Sequence, residues 1–139
     1  MKMKIKLDFG AEVPFRAHET DAGIDLFCRK SETIPARGSV VFDTGVHIEL
    51  PPGYFAKIES KSGLNVSHGI VSCGGVIDEG YTGSITVKLY NMTDEPYDFW
   101  QGDKIAQLII IPYATPKIEI VQEIEGGERG DNGFGSTGR

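Results

Sequence analysis

Val46-His47-Ile48-Glu49-Leu50-Pro51-Pro52-Gly53-Tyr54-Phe55-Ala56-Lys57-Ile58-Glu59 is the stretch that decides the fold class. Val46, Ile48 and Leu50 alternate with His47 and Glu49. Tyr54, Ala56 and Ile58 alternate with Phe55, Lys57 and Glu59. An apolar residue at every second position marks a strand with one face on a core, whereas an amphipathic helix has a period of 3.6. Between the two runs, Pro51-Pro52-Gly53 removes backbone donors and permits a reversal of the chain.

Working outward, the same alternation recurs in Ile85, Val87 and Leu89, and again in Ile118, Ile120 and Ile124. Turn signals separate the runs: Ala36-Arg37-Gly38, Gly80 to Gly83, Asp94-Glu95-Pro96 and Gln101-Gly102-Asp103. Many short strands with no amphipathic helix predict an all-β sandwich, jelly roll or barrel. One helical turn is expected at Ser62 to Val66, with Ser62 as its cap. The chain has 139 residues, which suits one domain with a real core. Its 18 glycines argue against a helical bundle, because glycine costs about 1 kcal/mol in a helix interior.

The net charge of −6 argues against coating nucleic acid or an anionic membrane. The N-terminal Met1 to Leu7 alternates charged and apolar residues and is no signal peptide. The longest apolar run, Leu108 to Ile111, is far too short to span a bilayer. A cytoplasmic location is expected, or the host cytoplasm if the source is viral. Cys28 and Cys73 are too few for a disulfide framework and read as reduced, partly buried thiols. His18, His47 and His68 are scattered and suggest no metal site.

Several segments carry chemistry. Residues 126–139 hold six glycines, with Arg129, Ser136, Thr137 and a lone Phe134. Such a tail is either solvated and mobile or a phosphate cradle built from backbone N–H groups, hydroxyls and a guanidinium. Phe134 favours the second reading, since a flat ring stacks on a nucleobase. In Gly75-Val76-Ile77-Asp78-Glu79-Gly80-Tyr81-Thr82-Gly83, a short strand delivers Asp78 to a turn. There it either takes a proton from water or bonds its own backbone. Ala22-Gly23-Ile24-Asp25-Leu26 places an acid in a strand, read by itself as facing solvent. Ser60-Lys61-Ser62-Gly63-Leu64 either holds phosphate or caps a helical turn. Gln107 in Lys104-Ile105-Ala106-Gln107-Leu108 says little alone.

In order and spacing, however, these five segments resemble the five motifs of the trimeric dUTP pyrophosphatases (dUTPases), over residues 20–139. The resemblance implies a jelly-roll-like β-barrel, residues 1–125, with a C-terminal lid, residues 126–139. It implies a homotrimer whose shared interface sites hydrolyse dUTP to dUMP and pyrophosphate by Mg²⁺-assisted attack of water on the α-phosphate. That reaction keeps uracil out of DNA and supplies dUMP for thymidylate synthesis. By position, Asp78 would be the catalytic carboxylate, Tyr81 the ring beneath the deoxyribose, and Asp25 the acid that holds Mg²⁺ through water. Lys61, Ser62, Gly63 and Gln107 would contact phosphate. Ser72, Cys73, Gly74 and Gly75 would read uracil. Arg129, Gly135, Ser136 and Thr137 would grip the γ-phosphate, and Phe134 would stack on the base.

Three positions depart from the family pattern. Lys61 replaces the usual Arg, keeping the charge but losing the planar fork, which implies altered triphosphate affinity. Cys73 stands where small residues are common. Ile24 replaces an aromatic residue and reads as a packing change. Gly23, Gly63, Gly74, Gly75 and Gly83 are expected where the chain passes close to ligand. A dCTP deaminase-like enzyme on the same fold, or a non-catalytic trimer, are the competing readings. The Gly-Phe-Gly-Ser-Thr-Gly tail argues against the first, and Asp25, Asp78 and Arg129 argue against the second. A net −6 protein must hold a triphosphate with placed cations, Lys61 and Arg129, and a divalent metal.

Overall fold

The computed structural model describes residues 1–133, 135, 137 and 138. Eleven strands and one helix follow in order: β1 Lys4–Leu7, β2 Gly23–Phe27, β3 Glu32–Ile34, β4 Ser39–Asp43, β5 Val46–Glu49, β6 Tyr54–Glu59, α1 Ser62–His68, β7 Ile70–Ser72, β8 Val76–Ile77, β9 Thr86–Asn91, β10 Tyr97–Phe99 and β11 Lys104–Pro112. They pair in four sheets, ordered β2-β11-β6-β8, β4-β9-β7, β1-β5 and β3-β10. Every pairing is antiparallel. The all-β expectation holds, and among the described residues the sheets surround one core without joining into a closed ring.

The alternation in the sequence becomes the inner face of that core. Val46, Ile48, Leu50, Ala56, Ile58, Ile85, Val87 and Leu89 are all buried, while Glu49 and Lys57 are exposed. Phe42 and Phe99 meet edge to face at 5.4 Å, joining the β4 and β10 sheets. Buried Asn91 is fully used. Its Nδ2 donates to the Ile34 and Glu95 carbonyls, and its Oδ1 accepts from the Thr93 N–H and hydroxyl. That pairing removes the cost of a buried amide and shapes the Asp94-Glu95-Pro96 turn.

Strand β11 breaks the alternation once. Its register on β2 shifts between Lys104 and Ala106, so Ile105 and Ala106 are both buried in succession. In a regular strand, residues three apart point to opposite faces. The bulge instead lets Lys104 and Gln107 line the same cavity.

Three local expectations are corrected. Helix α1 extends to His68, and its N-cap is Lys61, which makes no side-chain cap bond; Ser62 is the first helical residue. The helix ends at Gly69, whose φ of 64° is left-handed and whose N–H caps the Asn65 carbonyl. Residues 118–124 form no strand: Ile118, Ile120 and Ile124 are each about nine-tenths exposed. An alternating segment becomes a strand only when a neighbouring edge accepts its hydrogen bonds, and among the described residues no strand pairs with residues 118–124. Cys28 is buried, as expected, but Cys73 is exposed. Burial pushes the Cys28 thiol up, and its Sγ–H donates to the Lys30 carbonyl. No helix of the described residues is long and apolar enough to cross a membrane.

Candidate active site

The candidate residues gather in three places. The first surrounds Asp25, on β2 directly opposite Gln107 of β11. Asp25 does not face solvent as its segment alone suggests; it is only 3% exposed. Lys61 Nζ donates to Asp25 Oδ1 at 2.6 Å, and Lys104 Nζ lies 3.2 Å from Oδ2. Two ammonium groups thus cover the Asp25 carboxylate, and Asp21 on the same cavity wall balances the second charge. Gln107 Nε2 donates to the Ser60 carbonyl at 2.9 Å. A Cβ at Gly23 would overlap the Gln107 amide, so that glycine makes room for a side chain rather than for ligand. These groups line a cavity of about 340 Å³ that also takes in Asp21. Ser62 and Gly63 sit exposed at the start of α1 beside it.

The second group surrounds Asp78. Strand β8 pairs with β6, and the Tyr81 N–H donates to the Asp78 carbonyl at 3.0 Å, closing the turn that presents the Asp78 side chain. Asp78 is exposed, and its carboxylate takes no hydrogen bond among the described residues, so the self-bonded alternative does not hold. Asp78, Tyr81, Gly75 and Ile58 line a cavity of about 210 Å³. Gly75 has a φ of 90°, and a Cβ there would lie 2.7 Å from Ile58 Cβ, so only glycine lets the hairpin settle on β6. Its carbonyl accepts from the Ile58 N–H at 2.8 Å. Tyr81 folds over Gly83 and donates from its hydroxyl to the Ser84 carbonyl at 2.9 Å. Ser72 donates its N–H to Ser60 Oγ, and Cys73 and Gly74 form the exposed tip of the hairpin.

The third group is the tail. Arg129, Gly135 and Thr137 are exposed; Phe134 and Ser136 lie outside the described residues. The Arg129 guanidinium donates to the Asn132 and Gly133 carbonyls, and the tail's backbone bonds stay within the tail.

Four contributors have roles that a reading of motifs does not reveal. Lys104 becomes the second cation on Asp25 only through the bulge. Ser60 links the hairpin to Gln107 through its hydroxyl and its carbonyl. Glu79 accepts from the Gly53 N–H and the Tyr113 hydroxyl, fastening the Asp78 turn; burial and Glu79 together raise the Tyr113 phenol. His47 reaches the same turn from β5, as described below.

The chain matches the dUTPase family model over residues 10–138. It is 43% identical over 141 residues to the deoxyuridine 5'-triphosphate nucleotidohydrolase of Clostridium novyi (strain NT), covering 99% of each. The structure is similar to that of Staphylococcus bacteriophage 80alpha dUTPase with dUPNHPP, at a TM-score of 0.92 and 30% identity over 99% of each chain. It is also similar to a mutant dUTPase from phage phi11 of S. aureus that reveals coordination of a structural Mg(II) ion. There the TM-score is 0.84 and the identity 28%, over 91% of this chain and all of the other.

Proposed function

The chain belongs to the dUTPase family, and from that premise we propose how its residues divide the work of a dUTP diphosphatase. The enzyme hydrolyses dUTP to dUMP and pyrophosphate. Asp78, whose carboxylate takes no hydrogen bond among the described residues and which a closed turn presents, takes the proton from the water that attacks the α-phosphorus. Tyr81 lies under the deoxyribose, and the Ser72 to Gly75 hairpin offers backbone donors and acceptors to the uracil edge. Lys61, Ser62, Gly63 and Gln107 hold phosphate oxygens. Arg129, Gly135, Ser136 and Thr137 close on the γ-phosphate, with Phe134 on the base. Residues 126–139 thus act as a lid on the domain formed by residues 1–125. The product dUMP is available for thymidylate synthesis, and removal of dUTP keeps uracil out of DNA.

The observation that carries this reading is the separation of the three groups. The Asp78 and Asp25 cavities share no lining residue, and among the described residues the tail's hydrogen bonds reach neither. That separation supports a reading in which several chains together bring these parts to one ligand. A homotrimer with sites at its interfaces meets that need. The exposed Ile118, Ile120 and Ile124, alternating on a segment without a sheet partner, suit docking against a neighbouring subunit.

The Asp25 cavity also fits Mg²⁺ carried in with the substrate. Two carboxylates, Asp21 and Asp25, line it, and among the described residues no three-residue cluster of metal ligands forms a complete protein cage. Mg²⁺ characteristically uses one or two carboxylates, phosphate oxygens and its own water. Asp25 would hold it through water, and bound Mg²⁺ would neutralise and orient the phosphate chain. Lys61 and Lys104 supply fixed positive charge beside it, which an acidic protein needs to receive a triphosphate.

Pyrophosphate release from dUTP, dTTP, dCTP and UTP, with and without Mg²⁺, tests the reading. Release from dUTP alone, dependent on Mg²⁺, is expected. Ammonia from dCTP would point to a deaminase instead.

A further inference from the structure

His47 lies outside every motif, yet both of its ring nitrogens are engaged. Nε2 lies 2.9 Å from Asp8 Oδ2, just beyond β1, and Nδ1 lies 2.8 Å from the Thr82 carbonyl oxygen. Thr82 sits between Tyr81 and Gly83 in the turn that carries the proposed sugar-binding ring. We propose that His47, as an imidazolium, is a positioning residue for dUTP, holding the Tyr81–Gly83 turn in its binding form by donating to the Thr82 carbonyl while Asp8 anchors its far side. The inference rests on the reading of Tyr81 given above and adds to it a control by proton.

The chemistry of the ring requires the charged form. A carboxylate and a carbonyl are both acceptors, and a neutral imidazole offers one donor and one lone pair. Only the imidazolium donates to both at once. Deprotonation places a lone pair against one of the two oxygens, and that link becomes repulsive. The surrounding charges favour the proton on balance. Asp8 raises the His47 ring above its ordinary value, chiefly through the hydrogen bond, and the Thr82 carbonyl adds to the effect. Burial and, more weakly, Lys6, opposite His47 on β1, work against them. His47 in turn lowers the Asp8 carboxyl, and it lowers Asp43 on β4 more weakly. Arg29, which follows β2 and donates to the Phe9 carbonyl, contributes to both of those shifts.

The end of the turn has further ties to this side of the molecule: the Ile85 N–H donates to the Val46 carbonyl, and the Thr44 N–H and hydroxyl donate to the Ile85 carbonyl. The Ser84 hydroxyl bonds Asp43, and the Gly45 N–H donates to both Asp43 Oδ1 and Ser84 Oγ. That tie holds the end of the turn at Ser84, where the Tyr81 hydroxyl also docks. His47 holds its middle. Losing the imidazolium should therefore loosen the ring's position without unfolding the pocket. The expected signature is weaker substrate binding with little change in chemistry.

The test is steady-state dUTP hydrolysis by the full chain across about pH 5 to 8, where histidine charge changes, extended upward because the His47 ring is raised. The His47 ring titration is followed in parallel by NMR. For the wild type, KM should rise several-fold through the His47 titration while kcat follows the other groups. His47→Ala should show the raised KM at every pH and lack that inflection. His47→Gln, which keeps one donor for Thr82, should show an intermediate KM that does not vary with pH. Asp8→Asn removes the anchoring charge and should move the KM inflection and the NMR titration together to lower pH, a shift that a merely structural role would not produce. Comparing variants cancels titration of the substrate phosphate. An unchanged inflection in His47→Ala, or an Asp8→Asn enzyme whose ring titration moves while its KM curve does not, overturns the inference. Tyr81→Ala separates the two levels. If it raises KM while His47→Ala matches wild type, only the role of His47 fails; if it leaves KM unchanged, the reading of the pocket fails with it.

Discussion

The two cavities of this chain are built by opposite means. Around Asp78 the walls are aliphatic side chains, Ile58, Ile77 and Ile85, with Gly75 and the ring of Tyr81, and among the described residues the exposed carboxylate takes no hydrogen bond. Around Asp25 the carboxylate is buried, and two lysines reach it from α1's N-cap and the start of β11. An unpartnered acid at a turn is free to exchange a proton. A buried acid covered by cations is fixed, and its work is to hold charge in place. The difference fits the proposed division of chemistry to one cavity and charge placement to the other, and on that proposal substitutions at the two should fail differently.

The largest effect should come from the chemical side. Asp78→Asn keeps the shape of the turn and removes the base, so kcat should fall by about 10²–10⁴-fold, the range of general-base catalysis. Binding of dUTP should stay within a few-fold, and the unfolding midpoint should not move, because an exposed side chain without partners supports no other contact. Titration calorimetry with dUTP and single-turnover kinetics separate binding from rate. A wild-type rate would place the base elsewhere.

Removal of residues 126–139 ranks next and tests whether either cavity works without the third group. Ordering ten tail residues costs on the order of 10–20 kcal/mol of conformational entropy. Only charge-assisted bonds to the γ-phosphate and stacking on the base could offset that, so closure should require a complete ligand. The truncated protein should keep its circular dichroism and unfolding midpoint, since the described tail residues are exposed and bond only to one another. Its turnover of dUTP should fall at least tenfold. Normal kinetics from the truncation would end the lid proposal.

The contrast also explains what the sequence could and could not disclose. The strands were legible wherever alternation met a neighbouring edge of the same chain, as at Val46 to Glu59 and at Ile85 to Leu89. The same alternation at Ile118 to Ile124 misleads, because no strand pairs with that segment among the described residues. The Asp78 site is written locally: strand, acid, turn and Tyr81 follow one another within nine residues. The Asp25 site is not. Its burial depends on Lys61 and Lys104, which come from distant segments, and on a bulge with no turn residue to announce it. Gly23 was legible as a close approach but not as an approach to Gln107. His47 escaped because its partners, Asp8 and Thr82, lie on other elements.

The smallest effect should come from Asp25→Ala, and it is the one that most sharpens the contrast. Removing one member of a buried ion pair costs about 3–5 kcal/mol when both charges are enclosed. Here Lys61 is partly buried and Lys104 is nearly half exposed, so water screens both ammoniums once the acid is gone. The expected loss of stability is therefore about 1–3 kcal/mol, read from the urea midpoint. The remaining penalty is mutual repulsion of the lysines across an empty carboxylate position. Adding Lys104→Ala to Asp25→Ala should accordingly recover part of the loss, whereas Lys104→Ala alone should cost little. The opposite pattern, with additive losses in the double variant, would mean that Asp25 is held by packing on its strand neighbours rather than by charge. The cavity would then differ from the Asp78 pocket in depth and not in kind.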